Sequence, residues 1–382
     1  MTRIKKIVKY RFLRSIVWML LFVACQPTLK NSESETRIFT DDSISYAHGF
    51  KLSSAKERIR IEVTNPWQHA RNIHFEYLLS TSDSLLNCIP IPVHRVVCFS
   101  TTHLAFIHLL GEDSTVVGVT NPNTITNPAI VRQIESGITF DIGNEQALNY
   151  ELILSLKPDV IFAYGVGAEV QGTYQKFAEW RIPVIMVSEY LEESPLAKAE
   201  WLKFFALFYN KKTLADSLFT TIELQYNGLL SQVSKIEKKP LVMTGMPWKD
   251  VWYVPGGNSF MAQFISDAGG NYLWKDDTSR ESLALSMERV FFESNKAEIW
   301  IHTGMANSLD EIKQTDPRMS QLKPFIDGNV YNNNNKTSGN TQGNDFWESG
   351  VVNPQLILSD LIHIFHPGII ADTNMNYYKK LN

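Results

Sequence analysis

Two glutamates stand at the same point of one repeated pattern. Leu148 to Gly165 reads LNYELILSLKPDVIFAYG, and Leu285 to Gly304 reads LSMERVFFESNKAEIWIHTG. Each copy sets a glutamate, Glu151 or Glu288, in the first turn of a short amphipathic helix, followed by a polar break, an apolar strand and a glycine. Two like charges held at fixed separation on a rigid body can read a two-fold partner surface. A glutamate in a first turn also favours the helix macrodipole with no partner at all, so the residue type leaves both roles open. Glu189 and Glu192 form a second carboxylate pair. The remaining chemistry rests on single histidines: His103 where a helix begins, His302 where a strand ends, and His363 and His366 near a C-terminal stop, where capping of carbonyls is the plainer role. A zinc or manganese site would need His103, His302, Glu189 and Asp345 to converge, and their spacing does not show that they do. No nucleophile motif, phosphate loop or GxGxxG after a strand occurs. No catalytic residue and no metal site is therefore assigned.

The repeat places these residues on αβ units far apart in one chain, which implies two similar lobes. The composition allows this: 382 residues, 44% hydrophobic and 20% charged, suffice for two cores of ordinary domain size. The net charge of -4 offers no basic excess to meet a phosphate backbone, so nucleic acid is not an expected partner. From Pro92 onward strands alternate with helices, which predicts parallel sheets covered on both faces. One lobe spans 93–193 and the other 240–382. A single long inter-lobe helix is predicted over 194–235, starting at Ser194-Pro195, with a weak interruption near Asn210. Before the first lobe, 46–92 carries period-two strands at Ile59–Val63 and His74–Leu79, joined through Asn65-Pro66, and reads as a β-hairpin extension. The expected fold class is thus α/β, with two Rossmann-like lobes, one bridging helix and a ligand cleft between them.

The N-terminus has a different grammar. Six basic residues between Arg3 and Arg14 precede the apolar run Ile16–Ala24, then Cys25. This is the layout of an export signal, too short to span a bilayer comfortably. Ala24 followed by Cys25 resembles a bacterial lipobox, with Phe22 where leucine is usual. That resemblance implies removal of 1–24 and a lipid on Cys25, with the Ser-, Glu- and Asn-rich stretch 25–45 as a tether. Cys88 and Cys98 could pair in an exported protein, but Cys98 sits in the apolar strand Val96–Phe99, where a buried free thiol is the plainer reading.

Ligands of open α/β sheets bind beyond the C-terminal strand ends. Those ends deliver Ser100, Thr101, Thr102, Tyr164, Glu189 and Tyr190 from the first lobe, and Trp248, His302, Phe346 and Trp347 from the second. The Asn- and Gly-rich stretch before Phe346 reads either as a mobile loop or as a carrier of aromatics able to wall a flat ligand. Arg and Lys are scarce among these segments, which argues against a highly anionic ligand.

Several segments in this order resemble the class III solute-binding proteins of ABC importers: Val96–Thr102 with His103, Leu154–Ile161, Ile182-Pro183-Val184, and Leu358 to Pro367. The resemblance covers about Pro92 to Gly368 and leaves the extension outside. It implies a protein without catalysis or a resident cofactor, anchored by lipid at the periplasmic face of a bacterial membrane and monomeric. Its ligand would be a metal chelate (ferric siderophore, haem or cobalamin), with an ABC permease and its ATPase as partners. It also implies that Glu151 and Glu288 dock to the permease. A zinc- or manganese-binding transport lipoprotein, or an enzyme on a related two-lobed fold, are the alternatives.

Overall fold

The computed structural model describes residues 39–382 apart from 83, 84, 86, 168, 169, 338–341 and 371–373. The expected signal segment, Cys25 and most of the tether lie outside the described residues. Among the described residues no helix is long and apolar enough to cross a membrane.

The extension is larger than a hairpin. Strands β1 (Thr40–Asp41), β2 (Phe50–Ala55), β3 (Arg58–Thr64), β4 (His74–Ser80) and β5 (Ile89–Pro90) form one sheet in sequence order. The expected hairpin is its β3–β4 pair, with Ile61 opposite Tyr77. Serines at 53 and 54 interrupt the alternation of β2, and β1 and β5 are two residues each, too short to register as periodic.

The first lobe is a five-stranded sheet in the order β12-β11-β6-β7-β8, parallel throughout. Its strands are β6 (Val96–Cys98), β7 (Val116–Val119), β8 (Phe140–Asp141), β11 (Val160–Ala163) and β12 (Val184–Met186), and a small hairpin of β9 (Gly143–Asn144) and β10 (Ala147–Leu148) stands beside them. Every residue of β6, β7, β11 and β12 is buried, as expected for strands covered on both faces. Helices α1 (Thr101–Leu109), α2 (Pro128–Glu135), α3 (Tyr150–Leu156) and α4 (Val170–Glu179) alternate with them. Both Cys88 and Cys98 are free, and burial pushes the Cys98 thiol up.

Residues 194–235, read from the sequence as one helix, form two: α5 (Pro195–Phe208) and α6 (Lys212–Val233), packed against each other. Asn210 takes a left-handed conformation (φ 55), Lys211 N–H bonds to Ala206 C=O (2.8 Å) and Asn210 N–H to Leu207 C=O (3.2 Å). That is a Schellman stop, for which asparagine is among the few tolerated residues. The apolar spacing resumes after only three residues, so periodicity alone sees one helix. Both helices bridge the lobes: Trp201–Tyr209 and Ala215 join the first core, while Leu196, Ala199, Phe219, Ile222 and Tyr226 join the second.

The second lobe repeats the design. Its sheet runs β16-β13-β18-β19-β20, parallel except for the last pair, from β13 (Leu241–Thr244), β16 (Asn271–Tyr272), β18 (Ile299–Ile301), β19 (Val330–Asn332) and β20 (Lys379–Lys380). A three-stranded antiparallel sheet of β14 (Pro247–Trp248), β15 (Val251–Pro255) and β17 (Ser282–Ser286) flanks it. Helices α7 (Phe260–Asp267), α8 (Met287–Glu293), α9 (Leu309–Thr315), α10 (Lys323–Ile326) and α11 (Pro354–Phe365) complete the lobe. The repeat emerges as α3–β11 in one lobe and α8–β18 in the other.

Two buried carboxylates tie the extension to the bridge. Glu200 of α5, with no exposed surface, accepts the backbone N–H of Ser45 (2.9 Å), Tyr46 (2.7 Å) and Ala47 (2.9 Å) and pairs with Lys203 (2.8 Å). Glu192 accepts from the N–H of His48 (3.0 Å) and Gly49 (2.9 Å) and from Trp201 Nε1 (2.9 Å). A side chain at Gly49 would place its Cβ 2.8 Å from the Trp201 ring, so this close passage requires glycine.

Candidate ligand cleft

The strand ends of the first lobe build one wall. After β6, Ser100 caps α1 by accepting the Thr102 N–H (3.3 Å). The Thr102 hydroxyl donates to Glu189 Oε1 (2.6 Å). A hydroxyl has one proton, so Ser100, 2.9 Å from Thr102 Oγ1, is the donor to it. Glu189 opens the 3₁₀ turn after β12 and is 3% exposed, and among the described residues its Oε2 has no hydrogen-bond partner. The Tyr190 hydroxyl donates to Gly165 C=O (2.7 Å) at the end of β11. Tyr164 meets the Tyr190 ring edge-on at 6.4 Å and donates to Glu145 (3.2 Å). Burial, reinforced by the Glu145 charge, pushes the Tyr164 phenol up to about 12.

The second lobe supplies the opposite wall. Phe346 and Trp347 stand edge to face at 4.7 Å; Phe346 is buried and Trp347 half exposed. The asparagines before them are structural. Asn332 donates to the C=O of Gly304 (3.0 Å) and Ala306 (2.8 Å), Asn334 to Ala306 C=O (3.2 Å) and Asn335 to Met375 C=O (2.9 Å). Further on, Glu348 accepts the N–H of Thr126 (2.6 Å) and Asn127 (2.9 Å) from the first lobe, a direct clamp between lobes. Burial pushes the Glu348 carboxyl up, against those hydrogen bonds, which pull it down.

Between the walls lies a cavity of about 430 Å³. Eight of the ten residues expected from the strand ends line it: Ser100, Thr101, Thr102, Tyr164, Glu189, Tyr190, Phe346 and Trp347. His302 does not. It lines a neighbouring compartment of about 270 Å³ that shares Tyr190, Phe260 and Trp347 with the first. Its Nε2 contacts the Tyr378 hydroxyl, its ring lies among Phe346, Trp347 and Tyr378, and burial lowers it to about 3, so it is neutral at physiological pH. Trp248 lines neither space: the chain turns at Gly245 into the β14–β15 hairpin, and the indole is 70% exposed. His103 is fully buried among Phe162, Tyr164 and Phe205, and desolvation holds it down to about 4, opposed by the nearby Glu189 charge. The four candidate metal ligands do not converge. Among the described residues, the only three-residue group of potential ligands is Glu62, His74 and Glu76, on the extension sheet.

Helices contribute what strand ends do not. The first turn of α5 places Pro195 and Lys198 on the cavity, α7 places Phe260 and Phe264, and α11 places Pro354 and Ile357. Lys198 lies 3.9 Å over the Phe260 ring; desolvation lowers its pKa while the charges of Glu189 and Glu192 oppose that. Its signal in the sequence was a lone cation in the first, otherwise apolar, turn of α5. Gln68, from the loop between β3 and β4, lines the second compartment, so the extension reaches the cleft.

Glu151 and Glu288 occupy equivalent places. Each lies exposed in the first turn of its helix, behind a cap made by Asn149 (from Leu152 N–H, 3.0 Å) or Ser286 (from Arg289 N–H, 3.3 Å). Each helix leads into a parallel strand of its lobe, β11 or β18.

Two α/β lobes, each with a parallel sheet, joined through bridging helices around a cleft, define a two-lobed solute-binding fold. The profile of the periplasmic binding protein family matches residues 96–336, more than half of the chain, and the chain belongs to this family, in its iron and B12 type. It is similar to MJ0878, an uncharacterised lipoprotein of Methanocaldococcus jannaschii, with 26% identity over 303 residues, covering 77% of this chain and 70% of that one. Among solved structures it is similar to a periplasmic heme binding protein from Pseudomonas aeruginosa (TM-score 0.57, 16% identity, 74% of this chain and 96% of that one). It is also similar to the periplasmic vitamin B12 binding protein BtuF of Vibrio cholerae (TM-score 0.54, 13% identity, 72% of this chain and 96% of that one). At these identities the likeness is one of fold.

Proposed function

We propose that this protein is the lipid-anchored substrate-binding component of an ABC importer. It captures a metal chelate (ferric siderophore, haem or cobalamin) in the inter-lobe cleft and delivers it to an inner-membrane permease without chemical change. The observation that carries this reading is the cavity between the lobes, walled by Tyr164, Tyr190, Phe346 and Trp347, in a member of a solute-binding family. Such a space, apolar with a few fixed polar groups, suits a flat or globular chelate. The haem and B12 binding of its structural neighbours supports the same ligand class. The lipoprotein naming of a relative supports Cys25 as the anchor. Glu151 and Glu288, exposed at matching positions, serve as the pair that engages the permease.

Trp347, half exposed on the cleft wall, is a built-in reporter. Titrating the purified protein with cobalamin, haem, ferric siderophores and Zn²⁺ while following tryptophan fluorescence should give saturable quenching by one chelate at micromolar concentration or below. The ligand should be recovered unchanged. Saturation by none of the chelates, or consumption of one, would remove this reading.

A further inference from the structure

One cavity is lined by a buried carboxylate, Glu189, and by an ammonium, Lys198. Glu189 lines the cavity yet is buried; Thr102 occupies its Oε1, and among the described residues its Oε2, itself buried, has no hydrogen-bond partner. A buried carboxylate oxygen left without a donor is unfavourable, and a donor brought by a bound molecule would relieve it. On the same cavity the Lys198 ammonium rests on the Phe260 face and, among the described residues, makes no ion pair or hydrogen bond. Among the described residues no arginine lines this cavity.

Three kinds of polar group can be weighed against that pair. A carboxylate would satisfy Lys198 but set a like charge beside Glu189. An ammonium would satisfy Glu189 but oppose Lys198. A carboxamide satisfies both, because its N–H donates to Glu189 Oε2 and its C=O accepts from the Lys198 ammonium, with no net charge brought into an aromatic-walled space. We propose that Glu189 and Lys198 form a carboxamide subsite, which selects metal chelates rimmed by amides over those rimmed by carboxylates. This rests on the reading of the cleft as the chelate site and deepens it.

The test uses matched probes on the full chain: cyanocobalamin against cobyrinic acid, whose rim amides are carboxylates, and haemin bis-propionamide against haemin. The amide member of a pair should bind at least about tenfold more tightly, the effect of one hydrogen bond to a charged group. Glu189→Gln, which keeps an acceptor for Thr102, and Lys198→Met, at a half-buried site, should each shrink that preference about tenfold while leaving the melting temperature near that of the parent. Equal or tighter binding of the carboxylate member overturns the subsite, as does an unchanged preference in both variants. Binding of ferric citrate with none of the amide probes bound would uphold the importer reading and overturn the subsite. Failure of all five probes, ferric citrate included, and of ferric siderophores would remove both.

Discussion

Glu200 should be a costly carboxylate to remove. It is wholly buried and accepts three consecutive backbone N–H groups, those of Ser45, Tyr46 and Ala47, besides the Lys203 ammonium. Each hydrogen bond to a charged group contributes about 1.5–3 kcal/mol. The simple sum overstates the loss, because Ser45 is exposed and Tyr46 only partly buried, and both can reach water once the acceptor is gone. Ala47 and the inner edge of the segment cannot. Glu200→Ala should therefore cost roughly 3–5 kcal/mol, the range for breaking a buried charged network from one side. At about 2 °C per kcal/mol for a chain of this size, the melting temperature should fall by roughly 6–10 °C. Glu200→Gln keeps a neutral acceptor and should lose about half as much. The loss should begin locally: hydrogen exchange should show the amides of residues 45–49 opening before the lobes. The consequence for the cleft is direct, since the extension that these amides anchor carries Gln68 to the second compartment. The reasoning fails if Glu200→Ala melts within about 1 kcal/mol of the parent, at the level of an ordinary surface substitution, with those amides still protected.

Other expectations follow from the clamp, the paired glutamates and the bridge. The Glu348 carboxyl is raised by burial, so the folded state binds a proton that the unfolded state releases. Its contribution to stability is present below the unfolded value of about 4.3 and is lost as pH rises through the raised folded value. Glu348→Gln should flatten that slope in urea denaturation measured across this interval, and an unaltered slope would contradict it. Glu151→Ala with Glu288→Ala should leave chelate affinity within twofold or so and sharply reduce uptake or permease binding, because exposed first-turn glutamates contribute only about 0.3–1 kcal/mol to their helices; a large loss of ligand affinity would place them in the cleft instead. Two bridging helices shared by both cores, together with the Glu348 clamp, limit hinge motion, so ligand binding should move the backbone by about 1 Å or less, and marked compaction in small-angle scattering would refute this.

The elements legible in the sequence are those whose pattern is long relative to its period. Both copies of the repeat fold as αβ units, and the C-terminal helix Pro354–Phe365 ends before His366-Pro367-Gly368 as its stop residues require. What escaped was short or interrupted. Strands β1 and β5 are two residues each, and a Schellman turn at Asn210 spends too few residues to break an apolar count. The extension's attachment was illegible for a different reason. Glu192 and Glu200 look in sequence like solvent-facing carboxylates, and most of the donors that compensate their burial are backbone amides more than a hundred residues away in the chain.

The cleft divides along the same physical line. The rule that ligands sit beyond strand ends depends only on where strands stop, and eight residues found by it share one cavity. The rule says nothing about helices that enter the cleft from the side, and so it passes over Lys198, Phe260 and Ile357. It also misplaces Trp248, because a strand end that turns into a hairpin carries its side chains outward rather than over the sheet edge. Strand-end residues are therefore expected to build the walls that the fold shares. The other groups that line the two compartments enter on the bridge, on α7 and from the extension, where neither periodicity nor the repeat constrains them. Glu189 joins the two sets, because the fold places it at a strand end and the bridge places a lysine on the same cavity.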